Sequence, residues 1–268
     1  MHSWKSDRLG DLLVEIIDYR GKTPKKLGSD WVDHGVPAIS AKNIKQGRIV
    51  RQDTIRYVSD ELYEKWMKIK LQTGDVILTS EAPLGEVLYL KNNCNYVLSQ
   101  RLYALRANKH LIWPRYLSYY LESNNGQAEL NSRATGSTAQ GIRQSLLKEV
   151  IVTYPQLNQQ QKISSILSAY DNLIENNTRR IQILEEMAQR IYKEWLVDFK
   201  YPGYENDKLV DSELGKIPEG WEVKQLSDIA IIIDCLHSKK PEQFQEGSNI
   251  YLHVWNIGNG GKLDLSKI

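Results

Sequence analysis

Between Pro155 and Pro202 the chain contains neither proline nor glycine, and its apolar positions return every seventh residue. Ile163, Tyr170, Leu184 and Ile191 share one heptad position, and Asn177 occupies the same position between them. Ile166 and Leu173 flank that stripe on one side; Leu167, Ile174, Ile181, Ala188 and Trp195 flank it on the other. Sustained heptads predict a helix with a coiled-coil-type seam, and a lone polar residue at the seam is the kind that sets register. Asn158 followed by Gln161 has the form of an N-cap and its capping-box partner. A helix of roughly 40 residues is roughly 60 Å long at 1.5 Å per residue. That is too long to bury within a domain of this size, so the seam must meet another helix, from this chain or from a partner.

The pattern before the helix is different. Val76–Thr79, Val87–Leu90, Tyr96–Leu98 and Leu102–Leu105 are short apolar runs bounded by Gly74-Asp75, Pro83, Gly85 and Asn92-Asn93. Such runs between turn residues predict strands. Asp60–Ile69 and Trp113–Glu122 read as short helices, and Arg133–Ile142, small, polar and glycine-containing, reads as a loop. The expected fold class is α+β: a mixed α/β domain over 1–154, a long spacer or dimerisation helix over 155–202, a polar linker over 203–220, and a partial second domain over 221–268.

The last of these comes from an internal repeat, which must be settled before an architecture is assigned. Arg8-Leu9-Gly10-Asp11-Leu12 and the apolar run to Asp18 recur as Gln225-Leu226-Ser227-Asp228-Ile229 and a run to Asp234. The basic loop closed by Pro24 returns as His237-Ser238-Lys239-Lys240-Pro241, and Asn43-Ile44 with Gly47 returns as Asn256-Ile257 with Gly260. One domain type is used twice, and the second instance stops at Ile268 well short of a full unit.

Composition narrows the class. Of the 268 residues, 41% are hydrophobic and 25% charged, as in ordinary globular proteins. No apolar stretch approaches the roughly 20 residues that span a bilayer, so no membrane association is expected. The N-terminus lacks the apolar segment of a signal peptide. Cys94 and Cys235 form no CxxC or Cys/His cluster, which argues against a zinc site or disulfide framework and fits a reducing cytoplasm. The net charge of +2 hides an asymmetry: residues 1–154 carry 22 Lys/Arg against 16 Asp/Glu, and the remainder 13 against 17. Local positive charge of this kind is the footprint of a polyanion.

No catalytic or metal-binding constellation is present. GxxxxGK[ST], GxGxxG and HExxH are missing, no proline neighbours another as an Asn-Pro-Pro-aromatic methylase motif needs, and the five histidines are scattered. What remains is a set of loops with the side chains that DNA contacts use. Arg20, Lys22, Lys25 and Lys26 surround one turn; Lys42, Asn43, Lys45 and Arg48 share a second. Ser80 and Arg101 lie in short polar loops, and Arg133, Ser137, Thr138, Gln140 and Arg143 in the glycine-containing segment. Lys, Arg and small hydroxyls suit phosphates, whereas Arg reads guanine and Asn or Gln reads adenine in the major groove.

Ser137-Thr138-Ala139-Gln140-Gly141-Ile142, Tyr154-Pro155-Gln156-Leu157, Gln159-Gln160-Gln161-Lys162-Ile163, Leu173-Ile174-Glu175-Asn176-Asn177, Ile191-Tyr192-Lys193-Glu194-Trp195 and the restart Gly215-Lys216-Ile217-Pro218-Glu219-Gly220-Trp221 together resemble the specificity subunits of type I restriction–modification systems. The resemblance implies two target recognition domains, each reading half of a split site in double-stranded DNA. It implies a helical ruler that docks methylation subunits, and a restriction subunit in the larger assembly. S-adenosylmethionine, ATP and Mg would then belong to those partner subunits, with no cofactor and no catalytic residue in this chain. One complete domain and one helix suggest a homodimer through the helix, supplying the second half. Two other readings stay open: a specificity fragment of a fused methyltransferase–nuclease, and a coiled-coil interaction protein without a nucleic-acid role.

Overall fold

The computed structural model describes residues 4–136 and 140–231, in two compact units, Met1–Glu185 and Glu186–Ile268. In chain order the first unit contains β1 (Lys5–Arg8), α1 (Leu9–Leu12), β2 (Leu13–Asp18), β3 (Val36–Ile39), β4 (Ile44–Lys45), β5 (Arg48–Ile49), β6 (Arg56–Val58), α2 (Asp60–Trp66), β7 (Val76–Ser80), β8 (Leu84–Tyr89), β9 (Val97–Leu98), β10 (Leu102–Ala107), α3 (Pro114–Glu122), α4 (Asn124–Ser132), α5 (Gln144–Lys148) and β11 (Ile151–Tyr154). A helix of 36 residues, α6 (Leu157–Tyr192), follows, with a π-helical turn at Lys193–Val197.

The organising element is a four-stranded antiparallel sheet in the order β2-β10-β7-β8. Strand residues alternate between two cores because successive side chains point to opposite faces. Ile77, Leu102 and Ala104 pack with β3, β6, β9 and α2, around the fully buried Trp66. Val76, Leu78, Tyr103 and Leu105 pack with α1, α3, α4, α5 and β11. A sheet covered on both faces favours apolar side chains on both, which is why Val76–Leu78 and Leu102–Leu105 read as near-continuous apolar runs. The predicted strands and short helices are present, α2 ending at Trp66 and β9 confined to two residues. Asp75, 1% exposed, forms a bidentate pair with Arg106 at one end of this sheet, Oδ1 and Oδ2 accepting at 3.0 and 2.8 Å.

The long helix starts one residue before the predicted cap. The Gln156 carbonyl accepts from the amides of Gln159 and Gln160, so Asn158 lies inside the first turn. The helix is tied down by Gln160, which is fully buried. Its Oε1 accepts from the Trp113 amide at 2.7 Å, and its Nε2 donates to the Pro155 carbonyl at 2.9 Å. Further along, Arg115 pairs with Asp171 and Lys91 with Glu175, and Ile163 packs against the second core. Ile163 is therefore covered within the unit. Tyr170, Asn177, Leu184 and Ile191 remain exposed, as do Ile166, Leu173, Ile174 and Ile181.

The second unit holds a hairpin, β12 (Leu209–Ser212) and β13 (Gly215–Pro218), inside the segment expected to be a linker. Gly215, at φ +108, makes the tight reversal available. Trp221 stacks on Tyr201 at 6.1 Å and meets Phe199 edge-on at 5.3 Å. α7 (Leu226–Ile229) follows. It stands in the repeat where α1 stands in the first domain, and both are single helical turns entered from extended backbone, at Gln225 and Arg8. The rest of the repeat, including Asn256 and Cys235, lies outside the described residues.

Candidate nucleic-acid interface

Four of the loops picked out for charge and hydrogen-bonding groups meet at one end of the four-stranded sheet. The Ser80 amide donates to the Arg101 carbonyl at 2.9 Å, and the Ile142 amide to the Ser80 carbonyl at 2.9 Å. Glu81 and Thr135 both bridge to Gly141. The Ala41 amide donates to the Gln100 carbonyl at 3.2 Å, which sets the 40–43 turn beside Arg101. Arg20 arrives from the end of β2 and lies over the Tyr103 ring, 3.9 Å from its centroid. Backbone hydrogen bonds join the 41, 80, 100–101 and 142 positions, while Arg20 reaches the cluster through its side chain. Gly141 permits the closest approach: a Cβ there would lie 3.0 Å from the Cβ of Glu81.

Within that cluster the named side chains divide by what they touch. Lys25, Lys42, Lys45, Arg48, Arg101, Gln140 and Arg143 are exposed. Lys45 and Arg48 stand on the β4–β5 hairpin, whose turn is held by the Gln46 amide donating to Glu86 at 2.7 Å. Arg48 also contributes to holding the Glu175 carboxyl below the usual range, behind the larger effect of the Lys91 hydrogen bond. The charge of Arg48 is thus partly directed at α6. Ser137 and Thr138 lie outside the described residues.

Other expected contacts are corrected by burial. Asn43 is 1% exposed and builds its own turn. Its Oδ1 accepts from the Ser40 amide and hydroxyl at 3.1 and 2.9 Å; its Nδ2 donates to the Arg51 carbonyl and Thr54 hydroxyl at 3.2 and 3.0 Å. No donor or acceptor is left for a base. Ser80 is likewise 1% exposed, because it ends a strand buried on both faces. Arg133 is half-buried and pairs with Glu129 one helical turn earlier, closing α4, while Glu129 also accepts from the Ile151 amide. Lys22 donates to the Trp66 carbonyl at 3.1 Å and Lys26 to the Gly21 carbonyl at 2.8 Å. Lys22, partly buried, therefore braces the basic loop from within, whereas Lys26 stays exposed.

Arg20 is intermediate. Its guanidinium grips Asp18 through Nε and Nη2, both at 2.9 Å. Burial opposes its charge, but the Asp18 hydrogen bond and the neighbouring Tyr103, Asp18 and Glu81 more than offset this, and its pKa is raised. Tyr103 is pushed up to about 12, chiefly by burial, so its hydroxyl stays protonated and donates to the Ile142 carbonyl at 3.1 Å. Arg101 forms an ion pair with Glu81 at 3.0 Å between two half-exposed side chains. Glu81 and Gln160 carry structural duties that sequence reasoning passed over. The polar Gln159-Gln160-Gln161 run gives no sign that its middle member is buried.

Among the described residues, no group of His, Cys, Asp and Glu is arranged to hold a metal ion. No described helix is long and apolar enough to cross a membrane.

Residues 1–186 match the type I restriction modification DNA specificity domain. The chain belongs to this family. The MjaIX type I restriction enzyme specificity subunit of Methanocaldococcus jannaschii is 30% identical over 252 residues, covering 90% of this chain and 55% of that protein. The putative MjaX specificity subunit of the same organism is 30% identical over 232 residues, covering 84% and 52%. The chain therefore spans about half the length of these relatives. The crystal structure of the type I restriction-modification S subunit from M. genitalium superposes with a TM-score of 0.55 at 18% identity, over 73% of this chain and 46% of that one. That likeness establishes the shared fold: a mixed α/β domain leading into a long helix.

Proposed function

We propose that the chain is a DNA-recognition component of a type I restriction–modification assembly, without catalytic residues of its own. The observation that carries this reading is the convergence of the 40–43, 80–81, 99–101 and 140–143 loops, with the Arg20 side chain, at one end of a sheet, in a family defined by DNA specificity. Lys25, Lys42 and Arg143 offer exposed charge for phosphates there. The exposed stripe of α6 suits a helix from a second copy of this chain, which would present two recognition domains to a split, symmetric site. The same helix would serve methylation subunits as a docking surface, and a restriction subunit would join them. S-adenosylmethionine, ATP and Mg belong to those partners in this reading. A cytoplasmic location follows from the DNA substrate.

The test is a salt titration of binding to duplex DNA, by the chain alone and with its methylation subunits. Each phosphate contact contributes about 0.9 to the slope of log affinity against log salt. Lys25→Ala and Lys42→Ala should each reduce the slope by about that amount and weaken all sequences alike. Absence of binding in both settings at low salt refutes the reading.

A further inference from the structure

Arg101 is unlike every other cation in the candidate interface. It carries a left-handed backbone, φ +65, which is costly for a residue with a side chain. That conformation is held by the backbone on both sides: the Arg101 carbonyl accepts from Ser80, and the Gln100 carbonyl accepts from Ala41. Its guanidinium is paired as well, with Nε 3.0 Å from Oε1 of Glu81. The backbone of Glu81 is placed by its bridge to Gly141. The side chain is nevertheless 49% exposed. Among the described residues nothing engages its two terminal amino groups.

A guanidinium held at Nε presents two parallel N–H donors from its far end. Guanine offers the matching pair of acceptors, O6 and N7, in the major groove, and the Arg–guanine fork is the commonest specific contact there. The alternative duty for a surface cation is a phosphate contact, which rewards net charge and tolerates a mobile side chain. Arg101 is poorly suited to that duty, because its ion pair with Glu81 offsets its charge. Lys25 and Lys42, exposed and without an ion pair among the described residues, have the opposite properties. Arg20 has its fork occupied by Asp18, and Arg133 is committed to Glu129.

We propose that Arg101 is a base-reading residue that recognises a guanine, and that Glu81 is its positioning residue. This rests on the DNA-recognition reading above. Lys42 and Lys25 then hold the backbone while Arg101 decides one position of the site.

The experiment selects from a randomised duplex library with the full chain and its methylation subunits, using wild type, Arg101→Ala, Arg101→Lys and Glu81→Gln. The wild-type site should contain one G·C pair whose preference falls about tenfold in Arg101→Ala, the scale of one bidentate contact. Every other position should keep its preference. Arg101→Lys should relax the same position, since a single ammonium cannot form the fork. Glu81→Gln should relax it too, with less loss and an unchanged melting temperature. Loss of affinity spread evenly over all sequences, or an unchanged site in Arg101→Ala, overturns the assignment while leaving DNA recognition standing. Relaxation in Arg101→Ala without any in Glu81→Gln overturns the role of Glu81. A wild-type complex that enriches no sequence overturns the DNA reading and this assignment together.

Discussion

Replacing Asn43 by alanine separates two duties that a sequence assigns equally well to an asparagine in a basic loop. In the structure the carboxamide closes the 40–54 segment on itself through four hydrogen bonds of 2.9–3.2 Å. A typical net hydrogen bond is worth about 0.5–1.5 kcal/mol, and a buried partner left unsatisfied costs about 1–3 kcal/mol. Ser40 and Thr54 are only partly buried, so water can reach some of the released groups. The expected loss for Asn43→Ala is therefore about 2–4 kcal/mol, the lower half of the simple sum. For a unit of this size that lowers the melting temperature by about 4–16 °C. Asn43→Asp should be no better: it keeps the acceptor facing Ser40 but turns an oxygen toward the Arg51 carbonyl. Urea unfolding followed by circular dichroism measures the effect. A change below about 0.5 kcal/mol, the range of a neutral surface substitution, combined with a lost adenine preference in selected DNA, would show that the side chain faces solvent and reads a base.

Two further outcomes follow from other parts of the unit. Tyr170→Glu with Leu184→Glu changes residues that are 63% and 60% exposed, so the thermal stability of the unit should hold. The same double variant should abolish any homodimer seen by analytical ultracentrifugation, because each large apolar side chain buried in a seam contributes about 1.5–3 kcal/mol; a dimer that persists rules out pairing through this stripe. Gln160→Ala leaves the Trp113 amide and Pro155 carbonyl unpaired beneath the start of α6, and should cost about 2–4 kcal/mol in urea unfolding. An unaffected unfolding curve would mean that the helix is held by Arg115–Asp171 and Lys91–Glu175 instead.

Much of the fold could be read before any coordinates. β7 and β10 announce themselves because a doubly covered sheet favours apolar side chains on both faces, as along Val76–Leu78 and Leu102–Leu105. α6 does so because its heptads are local and unbroken. The one-turn helices at Leu9–Leu12 and Leu226–Ile229 stand at matching places of the repeat, whose remainder lies outside the described residues. The candidate interface was legible as a set of loops but not as a set of contacts. Asn43, Ser80 and Arg133 have the chemistry of DNA-reading residues, and burial or a nearer partner removes each from that duty. The cap assigned to Asn158 failed because the carbonyl of Gln156, two residues earlier, already accepts the first helical bonds.

Periodicity and composition by themselves determined the α+β class, the long helix with its heptad stripe, and the positive loops of the first domain. These depend on neighbours in sequence, through side-chain alternation, helical spacing and local charge. Tertiary structure alone decided which of those loops converge, that Ile163 is covered while Tyr170 and Leu184 are not, and that Gln160 anchors the helix. It also decided that Glu81 and Arg101, 20 positions apart in the chain, form one ion pair. The physical reason is that the use of a polar side chain is set by what lies within hydrogen-bonding distance of it, and those neighbours come from strands distant in sequence.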